Sequence, residues 1–539
     1  MIKKFLCAAL VMSAGFFLYS QVLDLNELNP QAIDNLYRSF EHNDALEEQK
    51  DFHVNYQTLR LNLNPHTSSY LAEAQVLNST HEGLFSYNSL TADPDYAICQ
   101  EFKTSRDKLY WIFTLRSDAK FSDGTPITSE DFKKSWLALL SNRDASYASF
   151  LDVIKGAREY RLGKGKAEDV AIYAKDKNTL CIELTSPLAH LPQILCHHSF
   201  AAVDLEKGNY SGPYKILKHT ERELILVKNE YYYNKDSVLL PKIVINANTN
   251  AEEVTSLFNK GELQWIDSDY DSKALLDKEA ILLEKIFGTT YYFFKEGNSP
   301  YLTEKVRQAL MAATPWDQIR YGAIFPAGTL VLPLSGYSSP APLDFTDFDY
   351  AKNLMKEAKK ELGLKEEDII ELTAIIPEGT GTFQQATMIK NAWARAGVNL
   401  KIKVSKDNLF MGNVKATKAD LFIYTWIGDF SDPVAFLELF RGDSNLNESN
   451  WKNEEYDKLL EKANHTMDKF ERYKYLSDAE DILLSSGMII PVCYSIGMAT
   501  VNTNEIGGWS DNPLNIHPFK NLYFKKQNSA FKHGVVASK

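Results

Sequence analysis

At 539 residues and 61.2 kDa, the chain is longer than a single hydrophobic core supports, so two or three domains are expected. With 44% apolar, 12% aromatic and 24% charged residues it has globular composition, which excludes disordered and fibrous classes. Its net charge of −12 opposes phosphate backbones and anionic lipid, so nucleic acid is not an expected partner.

The first element is an apolar run from Phe5 to Leu18, preceded by Lys3 and Lys4 and followed by Tyr19, Ser20 and Gln21. A charged start, a run too short to span a bilayer and a small residue at the exit predict a secretory signal peptide over residues 1–21. The mature protein is therefore expected in the periplasm or another extracytoplasmic compartment. Residues 22–52 form a polar extension in which Ile33, Leu36, Tyr37 and Phe40 have helical spacing. Tyr56 to Leu63 alternates apolar with polar residues, a strand pattern that Asn64-Pro65 ends.

Between Leu109 and Asn142 a strand (Leu109 to Arg116), a turn (Ser122 to Pro126) and a helix follow in order. Thr128 and Asp131 predict a capping box for that helix, and Phe132, Trp136, Leu139 and Leu140 its buried stripe. Further strands are expected at 179–185, 224–228, 242–245, 398–404, 421–424 and 488–501, with Pro491 marking an edge or a bulge in the last. Helices are expected at 188–195, 303–313, 384–396 and 434–440, and in two stripes, Tyr456, Leu459, Leu460, Ala463 and Phe470, Tyr473, Leu476, Ile482, Leu483. Alternating strands and helices without repeats or proline-rich linkers indicate α/β domains whose chain crosses between them.

No zincin, nucleophile-elbow, P-loop or dinucleotide-binding motif occurs, so an enzyme is not expected and neither is a cofactor. Cys99, Cys181, Cys196 and Cys493 are too few for a disulfide scaffold; a Cys181–Cys196 bridge and four buried thiols both remain open. His190, Cys196, His197 and His198 have metal-compatible chemistry. Their apolar, proline-flanked setting favours packing, and adjacent histidines on a strand would point apart, so no metal site is expected. An exported peptidase built on His190 is the weak enzymatic alternative. Aromatic residues cluster at Tyr231 to Tyr233, Tyr291 to Phe294 and Tyr424 to Phe430. In the third cluster Asp429 follows Trp426 by three residues, at the end of a strand, where open α/β sheets bind ligands.

The segment from Leu109 to Trp136 closely resembles the signature of the extracellular solute-binding proteins of peptide ABC importers, the oligopeptide- and dipeptide-binding proteins. Matches in the family's order are His81-Glu-Gly-Leu-Phe, Ser211-Gly-Pro-Tyr-Lys-Ile, Asn259-Lys-Gly-Glu-Leu-Gln-Trp-Ile-Asp, Val306-Arg-Gln-Ala-Leu, Trp393 to Ile402, Trp426-Ile-Gly-Asp-Phe-Ser-Asp-Pro and Ile490-Pro-Val-Cys-Tyr. The resemblance implies an α/β, two-lobed periplasmic-binding-protein fold (Venus flytrap) with an additional third domain. Lobe I would combine 53–76, 185–285 and 500–539; domain II would be 77–184; lobe III would be 286–499, with a hinge at the crossovers near 285 and 500.

The same resemblance implies a monomeric receptor that captures oligopeptides by lobe closure and delivers them to a membrane-embedded ABC permease, or does so for another cargo such as a metal chelate. Asp429 occupies the position that receives the peptide's α-ammonium, beside Trp426. Tyr147, Tyr291 and Tyr494 resemble ligand-contacting tyrosines, and Ser69 to Leu71 a strand that pairs with peptide backbone. Where relatives that bind short peptides carry basic residues, this chain has Ile423 and Val414 followed by Lys415, and Phe430 replaces a usual tyrosine.

Overall fold

In the computed structural model, which describes residues 45–46, 48–90, 92–188, 190–406, 414 and 416–526, the Thr128/Asp131 capping box forms as the sequence predicts. The Asp131 carboxylate accepts the Thr128 N–H at 2.7 Å, which starts the helix Ser129–Ser141. Phe132, Trp136, Leu139 and Leu140 are all buried, and the Trp136 Nε1–H donates to the Phe200 carbonyl at 2.9 Å. The helix belongs with an antiparallel four-stranded sheet in the order Cys99–Thr104, Tyr110–Leu115, Thr179–Glu183, Ile172–Asp176. Residues 1–44 are outside the described set, and with them the predicted signal peptide and the amphipathic pattern of Ile33 to Phe40. By internal contacts the chain forms two units. One comprises 1–47 with 525–539, where Ala45 and Lys525 make an isolated antiparallel bridge; the other is Glu48–Phe524.

A ten-stranded mixed sheet organises the second unit, in the order Val398–Ser405, Ile370–Pro377, Leu421–Ile427, Ile281–Phe294, Ile489–Val501, Trp265–Asp267, Phe52–Tyr56, Lys242–Asn246, Glu223–Lys228, Tyr214–His219. The two central strands are the longest, and they pair antiparallel with each other. One side of this pair carries strands from 370–427 and the other strands from 52–56 and 214–267. The register shifts twice, between Lys285 and Thr289 and between Thr290 and Tyr291, the second opposite Pro491. Proline lacks the ladder N–H, and the bulge admits it to an interior strand.

Most elements match expectation, with informative differences. The strand near Tyr56 is Phe52–Tyr56; the alternating stretch after it is not a strand, and within it the Asn62 N–H bonds to the Glu73 carboxylate at 2.7 Å. The helix expected over 188–195 shortens to Leu191–Ile194, and that over 434–440 to Val434–Leu437 with a 3-10 turn after it. In the final long helix, Lys469–Ser485, Tyr473, Leu476 and Leu483 are buried but Phe470 is 70% exposed. Gly397 and Gly487 adopt φ of +80° and +68° just beyond their helices, the left-handed conformation that glycine reaches without strain. The four described cysteines are free thiols, so the Cys181–Cys196 bridge does not form.

Candidate functional site

Two antiparallel strands build the floor of the site. Ile281–Phe294 and Leu421–Ile427 pair so that Tyr291 lies opposite Tyr424 and Thr289 opposite Trp426. Because side chains alternate along a strand, Tyr291 and Phe293 share a face, and Phe293 meets Tyr424 edge-on at 4.9 Å between centroids. A narrow cleft lies over this face. Its walls include Ser69 and Ser146 on one side and Tyr291, Trp426, Phe440 and Glu448 on the other.

Beyond Trp426 the strand ends and the chain turns through Gly428 to Pro433. Three bonds pin this turn: Trp426 Nε1–H donates to the Ala435 carbonyl at 2.9 Å, and Arg472 makes a bidentate pair with Asp432 at 2.6 and 2.9 Å. Burial opposes ionisation of Asp432, but the Arg472 guanidinium outweighs it and holds the carboxyl below the usual range. Asp432 also accepts the Val434 N–H, capping the short helix.

Asp429 sits within this pinned turn. Its side chain is 16% exposed, its Oδ1 lies 3.5 Å from His197 Nε2, and the Tyr147 hydroxyl hydrogen-bonds its carboxylate. Its Oδ2 is buried without a hydrogen-bond partner. Burial is the largest influence on the group and pushes its pKa up to about 7. His197 Nδ1 accepts the Ser199 N–H, which leaves Nε2 as the protonated nitrogen facing Asp429, and burial pushes the ring down to about 3. The imidazole is thus a neutral donor, and the Asp429 carboxylate has no cation against it among the described residues.

The predicted site residues divide into three groups. Ser69, Tyr291 and Trp426 line the cleft together. Asp429 and Tyr147 meet each other but are not lining residues; their chain neighbours Trp426 and Ser146 are. Leu71 and Tyr494 are not lining residues. Tyr494 instead hydrogen-bonds Thr329 Oγ1 through its hydroxyl at 2.7 Å and donates its N–H to Phe325. The strand expected over Ser69 to Leu71 is absent, because Leu71 opens the helix Leu71–Thr80. The Glu73 carboxylate caps that helix, accepting the N–H groups of Ser69 and Tyr70 at 3.2 and 3.3 Å, so those donors are already engaged.

His197 and His198 are not on a strand; their ring centroids stand 4.0 Å apart at a 3-10 turn, and His190 stacks on Phe430. Among the described residues, no group of three or more histidine, cysteine or acidic side chains is placed to hold a metal ion. Lys415 is outside the described residues, and Val414 is buried. Sequence reading did not single out Ser146, Phe440 or Glu448. The aromatic clustering of Tyr291 to Phe294 and Tyr424 to Phe430, and the family resemblance at Ser69, Tyr291 and Trp426, signalled the cleft's walls.

This architecture is that of a multi-domain α/β solute-binding fold. The family of bacterial extracellular solute-binding proteins, family 5 (middle region), matches residues 93–448, and the chain belongs to that family. It is 28% identical over 506 residues to the oligopeptide-binding protein OppA of Bacillus subtilis, covering 88% of this chain and 92% of that protein. Its fold is similar to Haemophilus influenzae OppA in complex with the peptide RPPGFSPFR, with TM-score 0.79 and 21% identity over 89% of this chain and 100% of that one. The Escherichia coli murein tripeptide binding protein MppA is equally similar, with TM-score 0.79 and 23% identity over 90% of this chain and 100% of that one.

Proposed function

We propose that the chain is an exported receptor that captures oligopeptides in the cleft over Tyr291 and Trp426 and hands them to an ABC permease. The observation that carries this reading is Asp429, a buried carboxylate with one oxygen unpartnered and only neutral donors around it. Such a group is costly to hold unless a cation completes it, and a peptide α-ammonium supplies both charge and hydrogen bonds. Trp426, Tyr291 and Ser69 then face the first residues of the peptide, and Tyr147 orients the carboxylate. The described backbone N–H groups of Ser69 and Tyr70 take no part, since Glu73 holds them.

Residues 53–76, 185–285 and 500–539 act as one lobe with domain 77–184, and 286–499 as the other. The long central strands Ile281–Phe294 and Ile489–Val501, with their register shifts, serve as the hinge. Peptide favours closure only by the contacts it makes better in the closed state. The Lys3/Lys4-led apolar run directs export and is removed, and the mature receptor acts as a monomer outside the cytoplasm, as a binding protein without catalysis. The names of similar proteins, oligopeptide- and dipeptide-binding, support the peptide cargo. Mass spectrometry of the natively purified protein tests it: co-purified peptides with free N-termini are the expected cargo, and a metal chelate or a non-peptide solute in their place contradicts it.

A further inference from the structure

Away from Asp429, a cluster of charged side chains joins the two sides that close. Asp152, Arg158 and Arg161 come from the 3-10 turn Ala148–Val153 and the helix Ala157–Arg161. Glu438, Arg441 and Asp443 come from the 3-10 turn Glu438–Phe440 and the loop after it.

Each side is internally paired. Arg161 grips Asp152 with two nitrogens, Nε at 2.8 Å and Nη2 at 2.5 Å. Arg441 holds Glu438 at 2.9 Å and Asp443 at 2.8 Å. Across the gap, Arg158 Nη2 reaches Asp443 Oδ2 at 2.7 Å, Arg441 Nη2 reaches Asp152 at 3.1 Å, and Arg161 Nη1 donates to the Asp443 carbonyl at 2.9 Å and to Asn445 Oδ1 at 2.6 Å. Asn445 returns a bond to the Ala145 carbonyl at 2.7 Å, and Ser149 meets Ser444 at 3.3 Å.

The partition of charge decides what this cluster can do. Arg158, Arg161 and Asp152 sum to one positive charge, while Glu438, Asp443 and Arg441 sum to one negative charge. Separation therefore leaves Arg161 and Arg441 each with a carboxylate on its own side, so no guanidinium in the buried part of the cluster is stranded. The severe cost of breaking a buried pair does not arise. Approach brings opposite net charges together and adds the crossing bonds. The side chain of Arg158 is 46% exposed and the cluster borders an open cleft, so salt screens the crossing attraction. Burial alone would raise Asp443, but Arg441 and Arg158 outweigh it and hold the carboxyl below its usual range.

We propose that this cluster is a reversible electrostatic clasp that biases the lobes toward closure before ligand arrives, and so sets how tightly and how slowly peptide is released. The inference rests on the lobe assignment above. None of its residues lines the peptide cleft, so affinity is tuned without altering what the cleft recognises.

The test uses the full mature chain in a Cys493→Ser background, with spin labels on Lys175→Cys and Lys352→Cys, both exposed and on opposite sides of the gap. Pulsed dipolar spectroscopy then reads the lobe separation without ligand. Arg158→Gln or Asp443→Asn is expected to lower the closed-to-open ratio by roughly three- to fivefold, the range that a partly exposed ion pair supports. The double variant should do less than the sum of the two, and raised salt should move the unsubstituted protein the same way. Unchanged distance distributions in both single variants overturn the clasp. Adding a tryptic digest of casein to the unsubstituted protein judges the receptor reading separately, since a distance that never responds to peptide counts against lobe closure on peptide and not against the clasp.

Discussion

Nε2 of His197 stands 3.5 Å from Oδ1 of Asp429, across 232 residues of sequence, and it is a neutral donor rather than a counter-ion. A lysine or arginine in its place would neutralise Asp429 and leave nothing for a ligand's cation. The imidazole steadies one oxygen and leaves the other, Oδ2, without a partner.

Substituting Asp429→Asn is therefore expected to separate binding from stability. Peptide affinity falls by about 3 to 5 kcal/mol because the ammonium loses its anion. The ligand-free protein, in contrast, gains stability above pH 7. The folded pKa of about 7 lies above the ordinary carboxyl value of 3.8, so the buried group destabilises the fold increasingly as pH rises between those two values. Thermal melting of both proteins at pH 5 and pH 8 checks this: the gain should be larger at pH 8.

Peptide binding should depend on pH in the same direction. Burial holds Asp429 at about 7 in the ligand-free protein, and a bound ammonium favours the anion, so binding releases a proton below pH 7. Affinity should rise from pH 5.5 to about 7 and fall again above about pH 8, where the peptide's own α-ammonium loses its proton. His197 and Tyr147 face the carboxylate but do not titrate in this window, because burial pushes the imidazole down to about 3 and the phenol well up. Calorimetry in buffers of different ionisation enthalpy measures the released proton, and a flat profile would count against the assignment.

Arg472→Ala should damage both fold and site. It strands Asp432, whose side chain is 10% exposed, at a cost of about 3 to 5 kcal/mol. It also frees the turn that carries Asp429. Chemical denaturation reads the first effect, and peptide affinity under conditions where the variant remains folded reads the second.

Gly212, in the Ser211-Gly-Pro motif, lies against the backbone after the helix Leu71–Thr80. An added Cβ would stand 2.6 Å from the Thr80 carbonyl carbon and 2.8 Å from the His81 nitrogen. Gly212→Ala should therefore cost about 1 to 3 kcal/mol of stability, measurable by thermal melting, with peptide preference unchanged.

What could be read in advance follows the range of the forces involved. The helix Ser129–Ser141 was legible because its capping box and apolar stripe act within a few residues. Asp429 could be singled out in advance because it lies in one short motif with Trp426, and its role there is part of the proposal. The Ser69 to Leu71 segment was misread because what decides it, the Glu73 carboxylate capping backwards, competes with a pattern equally compatible with a strand. Alternation after Tyr56 failed similarly, since a period of two shows compatibility with a ladder and not the presence of a partner. Phe470 was misplaced because side-chain surroundings depend on distant segments, and no segment covers it. The same holds for His197: its chemistry was visible, but its partner was not.

The most direct test of the central claim is calorimetric titration of the unsubstituted protein with one peptide in two forms, free and N-acetylated. Acetylation removes the positive charge and leaves the rest of the peptide unchanged. If Asp429 receives the ammonium, the acetylated form binds at least about a hundredfold more weakly, the cost of about 3 kcal/mol for a buried charge left without its partner. Equal affinity for the two forms would contradict it.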